Sequence, residues 1–304
     1  MKKTVICLLG PTCSGKTDLA LGLYEDLSID IISVDSVMIY RGMDIGSAKP
    51  DLATRERVPH QLIDIRDPSE GYSAGDFCVD ATRLIALSFE QGRQPLLVGG
   101  TMLYFNALQQ GIANLPKKEE AVRTALAGRL EKEGLASLHE ELRKIDPACA
   151  SKIHANDPQR TLRALEVFYL SGKTMSAWWE EAAESSLAWP CLNIALIPDR
   201  PDLADKIALR FRQMLREGLV EEVEALYRRG DLSLTLPAIK SVGYKQVWQY
   251  LEGTLAYDEM IERAVIATRQ LAKRQFTWLR RWPNLHSISS GDPKLKEKVL
   301  KLIS

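Results

Sequence analysis

The feature that most constrains this fold is an eight-residue glycine-rich motif near the N-terminus. Residues 10–17 read Gly-Pro-Thr-Cys-Ser-Gly-Lys-Thr, a full match to the pattern G-x-x-x-x-G-K-[ST]. The glycines let backbone N–H groups wrap around phosphate oxygens, Lys16 supplies a positive charge, and Thr17 offers a hydroxyl to Mg²⁺. The predicted phosphate cradle consists of Gly10, Pro11, Thr12, Cys13, Ser14, Gly15, Lys16 and Thr17. The motif predicts phosphate or diphosphate binding, without specifying ATP or phosphoryl transfer.

Short apolar runs recur along the chain between stretches with a helical pattern. Each run is mostly apolar rather than alternating, as is typical of strands buried on both faces of a parallel sheet. The predicted strands are Thr4–Leu9, Ile29–Val34, Gln61–Ile65, Pro95–Gly99 and Leu192–Pro198. The predicted helices between them are Lys16–Asp26, Ala74–Gln91 and Met102–Gln110. We therefore expect an α/β fold with a P-loop NTPase-like parallel sheet flanked by helices.

The region between the fourth and fifth predicted strands, residues 116–188, contains no strand-like run. Its pattern predicts helices over Glu119–Lys132 and Leu135–Ile145, and a third helix capped by Asp157, begun by Pro158 and ended by Gly172. We expect an all-helical insertion domain at 116–188 within a core formed by 1–115 and 189–304. Further helices are predicted over Leu203–Gly218, Val220–Arg229, Ile239–Leu251 and Tyr257–Trp282.

Two further polar positions follow predicted strands and belong at the same edge of the sheet. Asp35 follows the second strand and Thr101 follows the glycine pair at the end of the fourth. Ligands of open α/β sheets bind at the carboxyl ends of the strands, where a carboxylate can bind Mg²⁺ or accept a proton. The structural alternative for Asp35 is a turn or helix-capping aspartate. The alternative for the glycine pair with Thr101 is a tight turn between a strand and a helix. His60, Asp64 and Asp76 are better explained as structural or capping residues.

The net charge of the chain conceals a local excess of basic residues. Lys and Arg number 40, as do Asp and Glu, and a zero balance argues at first against a nucleic-acid binder. Residues 263–281, however, contain six basic and no acidic residues, which leaves 34 basic against 40 acidic groups elsewhere. The six basic residues are Arg263, Arg269, Lys273, Arg274, Arg280 and Arg281.

These six residues share one side of a helical wheel, and apolar residues occupy the other side. The apolar set is Val265, Leu271, Ala272, Phe276, Trp278, Leu279 and Trp282, with Ile266 as the main exception. A solvated helix face normally mixes charge signs, so this stripe favours contact with a polyanion, although a solvated face remains the alternative. Arg160, Arg163, Lys240 and Lys245 could extend the track.

Targeting signals and cysteine pairs are not evident. The start Met1-Lys2-Lys3 with its short apolar run resembles a signal peptide, but the phosphate motif follows at once and no cleavage site is present. The five cysteines are widely spaced without a C-x-x-C pair, which favours reduced thiols. We expect a cytoplasmic protein without a membrane span.

Taken together, the motifs resemble the tRNA dimethylallyltransferase (tRNA isopentenyltransferase) family of the bacterial type. They occur in the family's order across nearly the whole chain. The matching segments are Gly10–Thr17, Asp35–Tyr40 with Gly42–Pro50, Gly99–Tyr104, Asp157–Arg160 with Arg163–Glu166, Ser241–Tyr244 and Thr268–Arg280.

The resemblance implies transfer of a dimethylallyl group from dimethylallyl diphosphate to N6 of the adenosine 3′-adjacent to the anticodon, in tRNAs that read codons beginning with U. Lys16, the loop amides and a Mg²⁺ on Thr17 would then hold the diphosphate as it leaves. Asp35 would orient the N6 amine and take its proton, and Thr101 would support the same position. The catalytic set implied is Asp35, Thr101 and Lys16, with Mg²⁺ as cofactor.

The resemblance also implies which residues contact tRNA, with the insertion clamping the anticodon arm. These residues are Asp35, Ser36, Val37, Met38, Thr101, Arg123, Gln159, Arg160, Thr161, Leu162, Arg163, Lys240, Gly243, Tyr244, Lys245, Lys273, Arg274 and Arg280. We expect the protein to act as a monomer. Two positions depart from the family pattern: Gln61, where a second histidine is common, and Met102, where glycine is common. A small-molecule P-loop kinase and a non-catalytic RNA-binding regulator are the alternative functions.

Overall fold

A six-stranded sheet forms the centre of this protein, which we describe from a computed structural model over residues 3–113, 115–117, 119–182 and 186–303. All neighbouring strands are parallel, and their order across the sheet is β3-β2-β4-β1-β5-β6. The strands are β1 (Val5–Leu9), β2 (Ile29–Val34), β3 (His60–Gln61), β4 (Gln94–Gly99), β5 (Cys191–Ile197) and β6 (Leu285–Ser289). The expected P-loop NTPase-like α/β fold is confirmed.

Helices connect and flank these strands. In chain order they are α1 (Lys16–Asp26), α2 (Leu52–Arg57), α3 (Ala74–Glu90), α4 (Met102–Gln110), α5 (Glu120–Ile145), α6 (Pro147–Ala150), α7 (Pro158–Ser171), α8 (Met175–Ala182), α9 (Arg200–Arg216), α10 (Leu219–Tyr227), α11 (Tyr244–Leu251), α12 (Tyr257–Leu279) and α13 (Leu295–Ile303). Within the described ranges, none of these helices is both long and apolar enough to cross a membrane.

The central strands are apolar because both of their faces are covered. β1 is buried over its full length, and β2 is buried at every position except Asp30. On one face, Leu19 and Leu23 of α1 and Val299 of α13 pack against strand residues such as Ile29 and Leu196. Burial of this kind contributes about 1.5–3 kcal/mol per large apolar side chain, which fixes the sheet as the scaffold of the molecule.

Three expectations about individual elements are wrong. The third strand was expected over Gln61–Ile65 but ends at Gln61, because Leu62 and Asp64 have positive φ angles of 63° and 56° that a strand cannot contain. The helix expected from Ile239 begins at Tyr244. A sixth strand, β6, lies in a region without any predicted strand.

The chain divides into two compact units, one comprising Met1–Asn106 with Ala188–Ser304 and the other comprising Ala107–Leu187. The helical unit thus begins inside α4, earlier than the expected boundary at residue 116. In this unit α5 is interrupted at Gly134, whose φ of 78° and ψ of 160° separate the two predicted helices. Asp157 caps α7 through the Arg160 N–H, and Gly172 ends it at φ 68°, which confirms both predicted caps.

We predict that Gly99→Ala will destabilise the protein by about 1–3 kcal/mol, the usual cost of overpacking. A β-carbon at this position would lie 2.0 Å from the Val34 carbonyl oxygen, and that backbone cannot move without breaking the β2–β4 pairing. Denaturant unfolding measures the effect. Gly128→Ala is the matched control, since no atom lies within 4 Å of its added carbon. Unchanged stability of Gly99→Ala would contradict this close approach.

Candidate functional site

The phosphate motif forms the turn between β1 and α1. Gly15 is the N-cap of α1 with a φ of 81°, and Cys13 also has a positive φ of 60°. The left-handed conformation suits the glycine and turns the chain abruptly into the helix. The helix N-terminus and the loop amides therefore lie at the carboxyl end of β1, as an anion-binding cradle requires.

Lys16 folds back over this loop. Its ammonium donates hydrogen bonds to the carbonyl oxygens of Gly10 (2.9 Å) and Pro11 (2.7 Å), and to Ser14 Oγ (3.3 Å). Burial lowers the pKa of Lys16 from 10.5 to about 8, with Asp35 opposing the shift and Arg210 adding to it. The loop thus holds a poorly hydrated positive charge that an anionic ligand would stabilise.

Asp35 and Thr101 are joined through the turn that follows β2. The Ser36 N–H donates to Thr101 Oγ1 at 3.1 Å, and the Thr101 hydroxyl lies 3.4 Å from Ser36 Oγ. Asp35 Oδ1 accepts from the N–H groups of Val37 (2.8 Å) and Met38 (3.2 Å). Asp35 therefore caps this turn while it also lines the cleft above the phosphate motif, so its structural and functional interpretations are compatible.

A cleft of about 1190 Å³ covers the phosphate motif. Its wall carries charges of both signs. The basic residues are Lys16, Lys49, Arg55, Lys206 and Arg210, and the acidic residues are Asp18, Asp35, Asp44, Asp51 and Glu217. Another part of the wall is apolar and is formed by Val242, Ile207, Phe211, Met214 and Leu271. The cleft can therefore accommodate a ligand with an anionic end and a hydrocarbon end.

Two cleft residues from distant parts of the sequence were not predicted. Arg210 of α9 directs Nη1 to within 3.6 Å of the Cys13 sulfur and adds a second cation beside the loop. Gln275 of α12 accepts a hydrogen bond from the Thr12 N–H (3.0 Å) and donates one to the Gly100 carbonyl (2.8 Å). Arg210 lies outside every matching segment, whereas Gln275 lies within Thr268–Arg280 but was not assigned a role in the cleft; both lie on the cleft-facing sides of amphipathic helices.

Residues 44–50, which also line the cleft, are held in place by the carboxylate of a half-buried glutamate. Glu222 of α10 accepts from three successive N–H groups, those of Asp44, Ile45 and Gly46, at 2.8, 2.7 and 3.1 Å. The Tyr244 hydroxyl also donates to Glu222 at 2.6 Å. Burial, together with this carboxylate, raises the pKa of Tyr244, which keeps the phenol neutral and able to donate.

The three residues explained above as structural or capping residues, His60, Asp64 and Asp76, each have a hydrogen-bond or ion-pair partner. Asp64 forms ion pairs with Lys49 (2.6 Å) and Arg55, which fixes the loop after β3. Asp76 completes a capping box with Ser73 at the start of α3. His60 Nδ1 lies 2.7 Å from the Val58 carbonyl, and burial lowers the pKa of this imidazole, although the residue also lines the cleft.

The expected magnesium site rests on Thr17, which lies in the cleft wall at the start of α1. Among the described residues, no group of three or more His, Cys, Asp and Glu side chains could hold a metal by itself. Mg²⁺ usually retains waters and takes several ligands from substrate phosphates, so a single hydroxyl beside a phosphate cradle fits such an ion.

The basic stripe is exposed on α12 and on the two residues that follow it. All six of its basic side chains are exposed, whereas Ala264, Ala272 and Leu279 on the opposite side are buried. Arg263 pairs with Glu259 at 2.6 Å, and Arg280 and Arg281 lie beyond the helix end at Leu279. Trp278 was expected on the buried side but is 39% exposed, because it lies at the boundary between the two faces beside Arg274.

The remaining residues expected to contact tRNA differ in exposure. In the sheet-containing unit, Lys240 and Lys245 are exposed, whereas Gly243 and Tyr244 are buried. In the helical unit, Arg123, Gln159 and Arg160 are exposed, Leu162 is half-buried and Thr161 is buried, and Arg163 pairs with Glu166 at 2.8 Å. The side chains of the exposed cations can therefore contact tRNA directly. Thr161 and Tyr244 are buried and can act only through their neighbours or their backbone.

The fold and site define a P-loop α/β protein with an exposed basic stripe on α12, and comparison with known proteins identifies the family within this class. Residues 38–282 match the family described as IPP transferase. A tRNA dimethylallyltransferase 2 of Hahella chejuensis is 53% identical, over 98% of this chain and 94% of its own. A tRNA dimethylallyltransferase of Methylococcus capsulatus is 52% identical, over 98% and 96%.

Solved structures agree with this match. A tRNA isopentenylpyrophosphate transferase of Bacillus halodurans is 37% identical with a TM-score of 0.73, over 99% of this chain and 96% of its own. A eukaryotic dimethylallyltransferase acting on tRNA is 26% identical with a TM-score of 0.82, over 99% and 78%. The chain belongs to the IPP transferase family.

The lowered pKa of Lys16 predicts how diphosphate binding depends on pH. In the free protein Lys16 loses its proton as the pH rises through about 8, well below its ordinary value of 10.5. A bound anion favours the protonated amine, so affinity for a diphosphate monoester should fall above this pH, with binding accompanied by proton uptake. Calorimetry just above pH 8 in buffers of different ionisation enthalpy measures the uptake. Lys16→Met should bind weakly without it, and a wild-type protein that takes up no proton would contradict the assignment.

Proposed function

We propose that this chain transfers the dimethylallyl group of dimethylallyl diphosphate to N6 of the adenosine 3′-adjacent to the anticodon, in tRNAs reading codons that begin with U, and releases diphosphate. The observation that carries the proposal is the hydrogen-bonded link between the Asp35–Ser36 turn and Thr101, beside the phosphate loop. This link places the Asp35 carboxylate, which would serve the acceptor amine, next to the loop that would bind the leaving diphosphate. The activity named for the relatives supports the same reaction.

The phosphate motif stabilises the leaving group. In the reaction the C1–O bond of the prenyl diphosphate breaks, and its electron pair departs with the diphosphate. Loop N–H groups, Lys16 and Arg210 meet this developing charge in a cleft where desolvation strengthens the interaction. Thr17 would hold Mg²⁺, which supplies further charge neutralisation when it is bound.

Asp35 and Thr101 serve the acceptor. The N6 nitrogen forms the new bond to C1 and gives up a proton, which the Asp35 carboxylate accepts and returns to solvent. Thr101 fixes the turn that carries Asp35, through the Ser36 N–H. The adenine must leave the base stack of the anticodon loop to reach Asp35 in the cleft.

The apolar part of the cleft fits a hydrocarbon substrate better than a nucleotide. Phe211, Met214 and Leu271 supply the kind of surface that a five-carbon prenyl chain would bury. Each methylene or methyl group removed from water contributes about 0.8 kcal/mol. A small-molecule kinase would instead need polar contacts for its acceptor, and it would leave the basic stripe without a role.

The exposed face of α12 is the proposed tRNA-docking surface in the sheet-containing unit. Lys273, Arg274 and Arg280 provide phosphate contacts that fix the register of an RNA. Trp278, exposed among them, adds an aromatic face on which an unstacked base or a ribose can pack. Arg123, Gln159 and Arg160 of the helical unit would provide further tRNA contacts.

Incubation with unmodified tRNA and radiolabelled dimethylallyl diphosphate tests the proposal. We expect label in the tRNA, at the adenosine following the anticodon. ATP-dependent phosphorylation of a metabolite with no label in tRNA would favour the kinase instead. Binding of tRNA without transfer would favour a non-catalytic regulator.

We predict that Asp35→Asn will lower kcat about 10²–10⁴-fold, the usual contribution of a general base. Asparagine retains an oxygen that can cap the Val37 and Met38 N–H groups, so the turn should persist while the proton acceptor is lost. Single-turnover rates and separate binding measurements for both substrates distinguish these effects. An unchanged kcat with a raised KM would make Asp35 a binding residue only.

We predict that replacing Lys273 and Arg280 by alanine will weaken tRNA binding and reduce its salt dependence, while affinity for dimethylallyl diphosphate stays nearly unchanged. Each lost phosphate contact lowers the slope of log K against log salt by about one. Filter binding over a range of salt concentrations measures the slope. Arg83→Ala removes an exposed charge from α3 and serves as the control. Equal losses for both ligands would refute this division of roles.

A further inference from the structure

Gln275 connects two loops of the cleft that are far apart in sequence. Its side chain is only 6% exposed, on the inward face of α12. The carboxamide oxygen accepts from the Thr12 N–H at 3.0 Å, and the carboxamide nitrogen donates to the Gly100 carbonyl at 2.8 Å. One residue thus bonds the phosphate loop after β1 and the turn after β4, which carries Thr101.

The chemistry of this bridge specifies a glutamine. An N–H group must be met by an acceptor and a carbonyl by a donor, and the planar carboxamide offers one of each at its tip. Glutamate would place a carboxylate against the Gly100 carbonyl, and methionine would fill the space without either bond. Because the bridge is buried, an unmet N–H or carbonyl there would cost stability or move a loop.

The surrounding backbone shows that little space is left for adjustment. A β-carbon on Gly100 would lie 2.5 Å from Gln275 Nε2 and 3.3 Å from the Gly10 carbonyl oxygen. The turn after β4 therefore lies directly against both the glutamine and the first residue of the phosphate motif. A displaced carboxamide would change the spacing between the phosphate loop and the Thr101 turn.

We infer that Gln275 is a positioning residue for the transfer reaction, which sets the distance between the diphosphate and the acceptor group. The inference rests on the proposed function. The Thr12 side of the bridge fixes the loop that holds the leaving group, and the Gly100 side fixes the turn whose threonine bonds Ser36, next to Asp35. In-line displacement depends steeply on this spacing, because a misplacement of about 1 Å can cost about 100-fold in rate.

The location of Gln275 also makes α12 a shared element of both binding surfaces. Lys273 and Arg274 precede it on the exposed face, which is the proposed tRNA-docking surface, while Gln275 points inward. tRNA bound to the outer face would thus hold the helix that fixes the two cleft loops. This placement explains why a residue within the basic segment is neither charged nor exposed.

The test compares Gln275→Met and Gln275→Glu with the wild type in single-turnover transfer from dimethylallyl diphosphate to tRNA. We expect the transfer rate to fall about 10- to 100-fold in both variants, from misplacement of the two loops. Binding of each substrate, measured separately, should change much less than the rate. Gly100→Ala should give the same pattern, because its added carbon displaces the carboxamide.

Two controls separate positioning from folding. Gln91→Met makes the same chemical change at an exposed site after α3 and should leave transfer unchanged. Thermal unfolding of each variant shows whether it is folded at the assay temperature, and Gln275→Glu, which keeps the acceptor for Thr12, provides a second folded variant if Gln275→Met is unstable.

A folded Gln275→Met or Gln275→Glu protein with a transfer rate within about twofold of the wild type would overturn the inference. A raised KM for dimethylallyl diphosphate with an unchanged rate would overturn it as well, since Gln275 would then be a binding contact. A wild-type protein that transferred no label would refute the proposed function and this inference together, whereas an active wild type with an equally active variant refutes the inference alone.

Discussion

The pairing of β4 between β1 and β2 is the constraint on which the rest of the site depends. In this register Gly99 lies opposite both Leu9 and Val34, so the three strands end at the same level. The phosphate motif, the Asp35 turn and the Gly100–Thr101 turn consequently leave the sheet side by side. Gly99 is required for this arrangement, because a β-carbon there would collide with the Val34 carbonyl. Backbone hydrogen bonds between strands thus bring together the three segments that form the proposed site.

The parts of this assembly that local sequence determines could be predicted. The phosphate motif, the buried strands and the caps of α7 each depend on residues close together in the chain, and each was found where expected. The edge strand β6 was missed because only Leu285 and Ile288 of its five residues are even partly buried, so no apolar run indicates it. Gln275, Arg210 and Glu222 were missed for a different reason, since their partners are loops that only the folded chain brings near them.

The two faces of α12 illustrate how one helix can serve different needs. Its periodic pattern correctly indicated which side is basic and exposed, but the pattern could not show that a buried polar residue bonds the cleft loops. Gln275 lies in the middle of the inward face, where an apolar residue would be expected, and it is satisfied there by two backbone groups. Trp278 is the opposite case: an apolar residue expected to be buried lies at the edge of that face, which leaves much of its ring exposed.

In the phosphate loop, too, a buried polar group depends on partners from the loop itself. Lys16 lies in a desolvated position, where its ammonium donates hydrogen bonds to the oxygen atoms of Gly10, Pro11 and Ser14. Removal of its hydration is a cost that these neutral acceptors offset only in part, as the lowered pKa shows. In the proposed reaction a diphosphate would supply the missing negative charge, and the interaction would strengthen further as the prenyl–oxygen bond breaks and charge accumulates on the leaving oxygen. A lysine stabilised more by the departing diphosphate than by the intact ester lowers the barrier to transfer, which is the condition for catalysis by a binding group.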